Sequence, residues 1–479
     1  MDRYLTILEV SQKQAYIFGS NKVADNIVNS AVIAKCLSPE YIKRILVQGY
    51  DERNNLVYSG GGHTILEFDD CVIAKKCVAT LTERIYRDFD GLCVYAKTIP
   101  YIEELSPKEN LKNLTAELEK KKAVRRSEFY HGTFGIEKLD INTHKPISCE
   151  ETDEKAIVRK EENSVSTKKF TPEGYNPTYK FEDLGTEKNK SSFIAVVHID
   201  GNGMGKRVDE LYDCMDSSDW NTVKMTLRRF SDEIDSDFKN AYMEMTNEVA
   251  MSISGGDLKG RLNIKTEDGK PLFPVRRIIT AGDDICFVTE GRIGLECARI
   301  FIEKLSTKKN SVDSKGYSAC AGVSIVHQKY PFYKAYKLSE SLCSSAKKFG
   351  AVISAADNGR NVCSIDWHIE FGEIKDSVDL IRKDYISDDG INLTSKPYVI
   401  TADNNILEKI KPEKKYSSFR GQMRKIINNE KEIGSGKIKQ LRVVMKKGCA
   451  ETTNYTKFYR IKDNFSFDAI EMMDTFLMI

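Results

Sequence analysis

Three carboxylates and one glycine turn in this chain have the residue types and spacing for phosphate chemistry. Asp200 closes an apolar run in FIAVVHIDGNGMGKR (193–207), and Asp283 and Asp284 fill the turn of a second apolar hairpin, RRIITAGDDICFV (276–288). Attack of a 3'-hydroxyl on an α-phosphate uses two Mg²⁺ ions roughly 3.5–4 Å apart. Mg²⁺ is usually held by one or two protein carboxylates, with substrate phosphates completing its shell. Between the acids, Gly201, Asn202, Gly203, Met204 and Gly205 form a strand-to-helix turn whose N–H groups can face phosphate oxygens. Either motif alone is explained as well by turn chemistry, because Asp and Gly populate hairpins for conformational reasons. Their pairing on two apolar strands is what points to metal-dependent nucleotidyl transfer.

The elements that must position these groups are legible. YSACAGVSIVHQKYPFYKAYKLSESLCSSAKKFG (317–350) reads as a buried strand, a turn at Pro331, and a helix with Ala335, Leu338, Leu342 and Ala346 on one face. Lys347 follows that stripe, where its ammonium can reach a triphosphate as a point charge; a solvated surface lysine is the alternative. An internal duplication is also visible. Strand-turn-helix at 4–37 followed by a hairpin at 56–68 is echoed by strand-turn-helix at 193–212 followed by the hairpin at 276–288. Where the second copy carries acids, the first carries Ser59, Gly60, Gly61, Gly62 and His63. This predicts one catalytic unit and one glycine-lined unit without metal ligands. By themselves the three glycines read as a plain hairpin turn.

Composition sets limits. A chain of 479 residues, 41% hydrophobic, has room for two to four domains with ample core. Lys and Arg number 73 against 71 Asp and Glu, a formal net charge of +2, so no global basic field argues for bulk nucleic-acid binding. The 12 cysteines form no CxxC pair, and Cys71, Cys286 and Cys320 lie in apolar runs. That pattern predicts reduced, buried thiols in a cytoplasmic protein. The N-terminus has no sustained apolar segment of the signal type, and no apolar stretch has the length of a membrane span.

The expected divisions are a first unit at 1–126, a polar insert or linker at 127–191, the acid-bearing unit at 192–370 and a helical unit at 371–479. The 83 residues between Asp200 and Asp283 (283 minus 200) exceed one helix, and the excess is read as a loop insertion at 254–273.

Taken together, these segments resemble the Cas10/Cmr2 family of type III CRISPR systems, whose palm domains are relatives of the GGDEF and class III nucleotide cyclases. The opening YLTILEVSQKQAYIFGSNKVADNIVNSAVIAKCL (4–37) is similar to the first palm, and YSGGGHTILEF (58–68) to its glycine-rich hairpin. SKPYVI and FDAIEMMDTF resemble the closing helical domain. The resemblance implies an α+β fold: two ferredoxin-like palm domains facing each other, with a polar insert and a C-terminal helical domain. It implies Asp200, Asp283 and Asp284 as catalytic residues, with Mg²⁺ or Mn²⁺ held by them and by Ile199, which has only its backbone carbonyl to offer. Nucleotide contacts are implied for residues Gly201 to Gly205, Gly282, Lys347, Ser59, Gly60, Gly61 and Gly62.

The implied activity is conversion of ATP into a cyclic or short oligonucleotide second messenger in antiviral defence. An ATP-binding scaffold of an RNA-guided complex, and an enzyme joining AMP to another small-molecule acceptor, remain as alternatives. Implied partners are nucleotides, together with CRISPR effector subunits and guide or target RNA, or a downstream messenger-activated effector; no membrane partner is expected.

Three departures qualify the likeness. The usual Gly-Gly-Asp-Asp turn is here Ala281-Gly282-Asp283-Asp284, and the chain has no His-Asp dipeptide of the HD nuclease type. In place of a zinc ribbon the insert offers only His144 and Cys149, too few for a tetrahedral site, so no zinc is expected.

Overall fold

Alternate residues of strand β1 (Tyr4–Ser11) enter two different cores, as the period of two requires. Leu5 and Ile7 pack with Leu111, Leu114 and Leu118, while Leu8 and Val10 pack with Ile27 and Val28. The strand is therefore apolar on both faces, which is why it reads as a nearly continuous hydrophobic run. The computed structural model describes residues 3–20, 22–46, 49–89, 91–124, 136, 153–184, 192–215, 219–356, 362–372, 375 and 377–479. The expected boundary at Arg126, and the pair His144 and Cys149, lie outside them.

With β2 (Leu56–Gly60), β3 (His63–Phe68) and β4 (Cys93–Pro100), β1 forms an antiparallel sheet in the order β2-β3-β1-β4. Its helices start where local chemistry permits. The Asp70 side chain accepts from the amides of Val72 and Ile73 to cap the helix Cys71–Asp88. Ser106 and Glu109 make a reciprocal capping box, with Pro107 at the first position of the helix Pro107–Ala123.

The second sheet contains β5 (Phe193–Gly201), β8 (Val275–Ala281), β9 (Asp284–Glu290), β10 (Ala319–His327), β11 (Val362–Ile369) and β12 (Tyr398–Ala402), ordered β12-β11-β10-β5-β9-β8. β6 (Thr266–Glu267) and β7 (Lys270–Pro271) make a separate two-residue hairpin. Without its two added strands, the second sheet runs β10-β5-β9-β8, the same connectivity as β4-β1-β3-β2. The fold is α+β, a pair of like-wired palm sheets followed by a largely helical C-terminal region.

Two segments differ from the sequence expectation. The interval between Asp200 and Asp283 holds a second helix of 36 residues, Trp220–Gly255, that the sequence reading left out; the loop expected at 254–273 follows it, as turns and the β6–β7 hairpin. The helix's buried Val223, Leu227, Phe230, Ile234, Phe238 and Tyr242 follow the helical three-and-four spacing. In addition, β12 lies in the segment expected to be helical, because Tyr398 stacks on Trp367 of β11 with ring centroids 5.1 Å apart.

The two sheets clasp each other reciprocally. The helix Val23–Cys36, which follows β1, packs on β8, while the helix Trp220–Gly255, which follows β5, packs on β2. Buried Glu67 of β3 fastens the second contact by accepting from Trp220 Nε1 and Lys224 Nζ, each at 2.8 Å. Polar sequence in the expected insert is partly explained by the helix Asp153–Lys169, which is tied by ion pairs. Glu161 meets Lys35 at 2.5 Å, Glu154 meets Arg44 at 2.8 Å, and Glu162 meets Arg277 of β8.

Cys286 and Cys320 are buried as expected, whereas Cys71, at the start of a helix, is only partly covered. Among the described residues no helix is long and apolar enough to cross a membrane.

Candidate functional site

The antiparallel register of β5 and β9 sets Asp200 directly opposite Asp284. Asp283 stands in the turn just before β9, with its carbonyl accepting from Gly201 N at 3.2 Å. A Cβ on Gly201 would fall 2.9 Å from Asp283 Cβ and 3.0 Å from its Oδ2, so only glycine lets the turn close on β5. We expect Gly201→Ala to displace Asp283 and to lower turnover by about 10²-fold, the order that a 1 Å misplacement costs. Steady-state kinetics alongside a thermal melt check this; unchanged turnover in a folded variant would contradict it.

Gly203 adopts the left-handed conformation, φ 66°, and caps the helix Met204–Cys214. That helix is anchored by Arg207, whose guanidinium makes two 2.7 Å bonds to Asp313. The phosphate-facing role expected of the five turn amides narrows here. Gly201 N is used by Asp283 O, and Asn202 N donates to Ser318 O at 2.8 Å. The amides of Gly203, Met204 and Gly205 belong to the cap and first turn, where no intrahelical acceptor exists.

The acids carry a deficit of positive charge. Burial, and then the charge of Asp200, pushes the Asp283 carboxyl up to about 6. Burial likewise raises Asp284, with His198 opposing the shift. Asp284 Oδ1 and His198 Nδ1 lie 3.5 Å apart, buried, and neither has a hydrogen-bond partner. Lys347 Nζ sits 2.5 Å from Asp200 Oδ2 and 2.8 Å from Gly201 O. The lysine expected to reach a triphosphate thus rests on a carboxylate.

Among the described residues no group of three or more His, Cys, Asp or Glu side chains is gathered tightly enough to hold a metal ion. The donor set still fits a hard divalent cation. Mg²⁺ needs only one or two protein carboxylates, and the orphaned Asp284 oxygen and the raised Asp283 both call for positive charge. Ile199 is fully buried among core side chains, so only its carbonyl is a candidate ligand.

The glycine hairpin of the first sheet comes to the same place. A Cβ on Gly60 would meet Tyr58 Oη at 2.8 Å and Ser231 Oγ at 3.0 Å. One helical turn further along the long helix, Asp235 Oδ1 accepts from Gly282 N at 3.3 Å. Ser231 and Asp235, four residues apart and therefore on one face, hold one hairpin each. Gly61 and Gly62 are both left-handed, at φ 59° and 77°. Ser59 is committed to the fold: its hydroxyl donates to Leu37 O at 3.1 Å and contacts Thr64 Oγ1 at 3.0 Å.

Sequence reading missed His198, Tyr58, Ser231 and Asp235. His198 could have been found, since it lies two residues before Asp200 and so on the same strand face. The others depend on contacts between sheets. A surface cavity lined by Arg44, Arg84, Arg87 and Glu154 shares no residue with this site, and Arg44 is already paired with Glu154.

Residues 193–352 match the family described as Cas10/Cmr2, second palm domain. None of the curated proteins compared is a match. Among solved structures, the Csm1–Csm4 cassette in complex with cA3 is similar at 15% identity and a TM-score of 0.47, covering 73% of this chain and 53% of that one. The same cassette in complex with one ATP gives 14% identity, TM-score 0.46, and coverage of 73% and 54%. Csm1 in T. onnurineus gives 16% identity, TM-score 0.46, and coverage of 76% and 52%. The chain therefore spans about half the length of the structures it matches.

Proposed function

We propose that this chain, whose residues 193–352 match the Cas10/Cmr2 second palm domain, is a metal-dependent nucleotidyltransferase making a cyclic or short linear oligonucleotide messenger from ATP in antiviral defence. The observation that carries this reading is the cation-deficient trio Asp200, Asp283 and Asp284 on paired strand ends, facing a glycine hairpin across one helix face.

In this reading Asp200, Asp283, Asp284 and the Ile199 carbonyl hold Mg²⁺ or Mn²⁺. The bound ions would supply Lewis-acid charge at the phosphate oxygens. The amides of Gly203, Met204 and Gly205 cradle the donor triphosphate, and the hairpin Gly60–Gly61–Gly62 receives the second nucleotide. The 3'-hydroxyl of one nucleotide attacks the α-phosphorus of the other. A P–O bond forms, the α–β bridge breaks, pyrophosphate leaves, and the hydroxyl proton passes to water. Lys347, on leaving Asp200, reaches the departing phosphates and neutralises charge developing there. Within a type III system the partners would be effector subunits and guide or target RNA.

Incubating the full chain with ATP and Mg²⁺ or Mn²⁺ and resolving products by mass spectrometry tests the reading. Oligoadenylates, cyclic or linear, are expected together with pyrophosphate. Recovery of unchanged ATP by protein that binds it would favour the scaffold alternative.

A further inference from the structure

The two sheets are copies in register as well as in wiring. Glu9 pairs across with His63 as Asp200 does with Asp284. Val10 N donates to Gly62 O at 2.9 Å, as Gly201 N does to Asp283 O at 3.2 Å. Gln12, left-handed at φ 52°, starts a helix in the place of Gly203. On the other side of each central strand, Glu9 faces Tyr95 and Asp200 faces Cys320.

A constant offset of 225 residues (320 minus 95) carries Tyr95 onto Cys320. It also carries Pro107 onto Phe332, the first residues of the two helices that follow. The same offset takes buried Leu111 and Leu118 to buried Tyr336 and Cys343, and Lys122 to Lys347. The two lysines make the same contact. Lys122 Nζ lies 2.7 Å from Glu9 Oε2, as Lys347 Nζ lies 2.5 Å from Asp200 Oδ2.

What differs between the copies is charge. The second site has Asp200, Asp283 and Asp284 against Lys347, formally minus three plus one. The first keeps Glu9 and Lys122, has Gly62 and His63 where the other two acids stand, and gains Lys13 where Met204 stands. His63 is neutral at pH 7, pushed down to about 4 by burial and then by Lys13. Glu119 also lies 2.7 Å from Lys122 Nζ, so the sum is two negative against two positive groups, a balance where the second site stands at minus two. Lys13 Nζ donates to Gly61 O at 2.5 Å, and its Cε would sit 3.0 Å from a Cβ on Gly62, so its ammonium lies on the hairpin turn. An excess of negative charge needs a divalent cation before it can accept a polyphosphate; a balanced site with two ammonium groups does not.

We propose that the first-sheet position binds the polyphosphate of a nucleoside triphosphate without a divalent cation, on the ammonium groups of Lys13 and Lys122. The inference rests on the two-nucleotide reading above and assigns the chemistry of its second site. Burial holds Lys13 below its ordinary value, and an arriving phosphate offsets that cost. Glu9 positions Lys122 in the phosphate-free state and is the group it leaves when the ligand arrives.

Equilibrium dialysis of the full chain against radiolabelled α,β-methylene-ATP, which cannot lose pyrophosphate, reads the stoichiometry with Mg²⁺ and with excess EDTA. Two equivalents are expected with Mg²⁺ and one in EDTA. The EDTA equivalent is expected to weaken at least tenfold in Lys13→Gln/Lys122→Gln, to persist in Lys122→Arg, and to be untouched in Asp283→Asn/Asp284→Asn. Circular dichroism melts confirm that each variant is folded. Two equivalents with Mg²⁺ but none in EDTA would overturn the metal-free site and leave the two-nucleotide reading standing. An EDTA equivalent indifferent to both lysines would overturn the assignment to Lys13 and Lys122. A single Mg²⁺-dependent equivalent, lost in Asp283→Asn/Asp284→Asn, would overturn both readings.

Discussion

Asp283→Asn is expected to raise the thermal midpoint of the metal-free protein at pH 8 while removing nucleotidyl transfer. The Asp283 carboxyl is lifted from 3.8 to about 6 by burial and by the charge of Asp200. Below about pH 4 the group is protonated in both folded and unfolded chains and has no effect on stability. As pH rises through about 6 the folded protein must ionise it against its neighbours, whereas the unfolded chain has already done so; stability falls across that window and stays lower above it. The penalty at pH 8 is on the order of 2 kcal/mol. Asparagine has nearly the same shape and no charge, so it relieves the penalty.

Mg²⁺ is expected to stabilise the parent by mass action and the variant much less. Transfer is expected to fall by at least about 10²–10³-fold, the scale seen when one preorganised charge-stabilising group is lost. Melts in EDTA at pH 5 and pH 8, with a product assay on the same samples, read both effects. A variant that melts below its parent at pH 8 without metal would sink the electrostatic account of this site.

Gly322→Ala is expected to cause the largest loss of stability among single methyl additions near the site. Gly322 lies on β10, between His198 of β5 and Asp366 of β11. A Cβ there would fall 2.0 Å from Ser339 O and 2.2 Å from Cys343 N, both backbone atoms of the helix Phe332–Ala356. Neither can turn aside, so the helix must lift from the sheet. Contacts that close this interface would be stretched, including Ser324 Oγ to Ala335 O at 2.7 Å and Ser364 Oγ to Ala346 O at 2.8 Å. Overpacking of this kind costs about 3 kcal/mol or more. Because Lys347 rides on the lifted helix, transfer should also drop. Hydrogen exchange of 332–350 and urea unfolding test this; protection and midpoint equal to the parent would show that the helix contact is looser than described.

The sequence disclosed the acid site because its motifs interrupt apolar strands at their ends. Asp200 after VVHI and Asp283-Asp284 between two apolar runs are placed by strand period and turn preference alone, and both are local. The duplication was visible at the level of strand, helix and hairpin, but its register was not. Glu9 sits inside ILEVS and Lys122 inside EKKK, contexts that read as an ordinary half-buried strand and a solvated helix end. Only cross-strand pairing reveals that they repeat Asp200 and Lys347.

The long helix Trp220–Gly255 went unassigned because the turn-rich segment at 254–273 was taken to account for the whole excess, although the helix carries its own three-and-four apolar spacing. β12 was missed for a different reason: its pairing partner β11 and its stacking partner Trp367 are distant in sequence, and a five-residue strand has too short a period to declare itself. Commitment of Ser59, Gly201 N and Asn202 N to hydrogen bonds within the fold is likewise tertiary information.

The measurement that tests the central claim most directly is transfer of label from α-phosphate-labelled ATP into oligonucleotide by the full chain with Mg²⁺, run beside Asp200→Asn, Asp283→Asn and Asp284→Asn. The account predicts labelled product and stoichiometric pyrophosphate from the parent, with each acid variant reduced by at least about 10²-fold. Product formed equally by the parent and all three variants would contradict it, because transfer would then be taking place somewhere other than at these carboxylates.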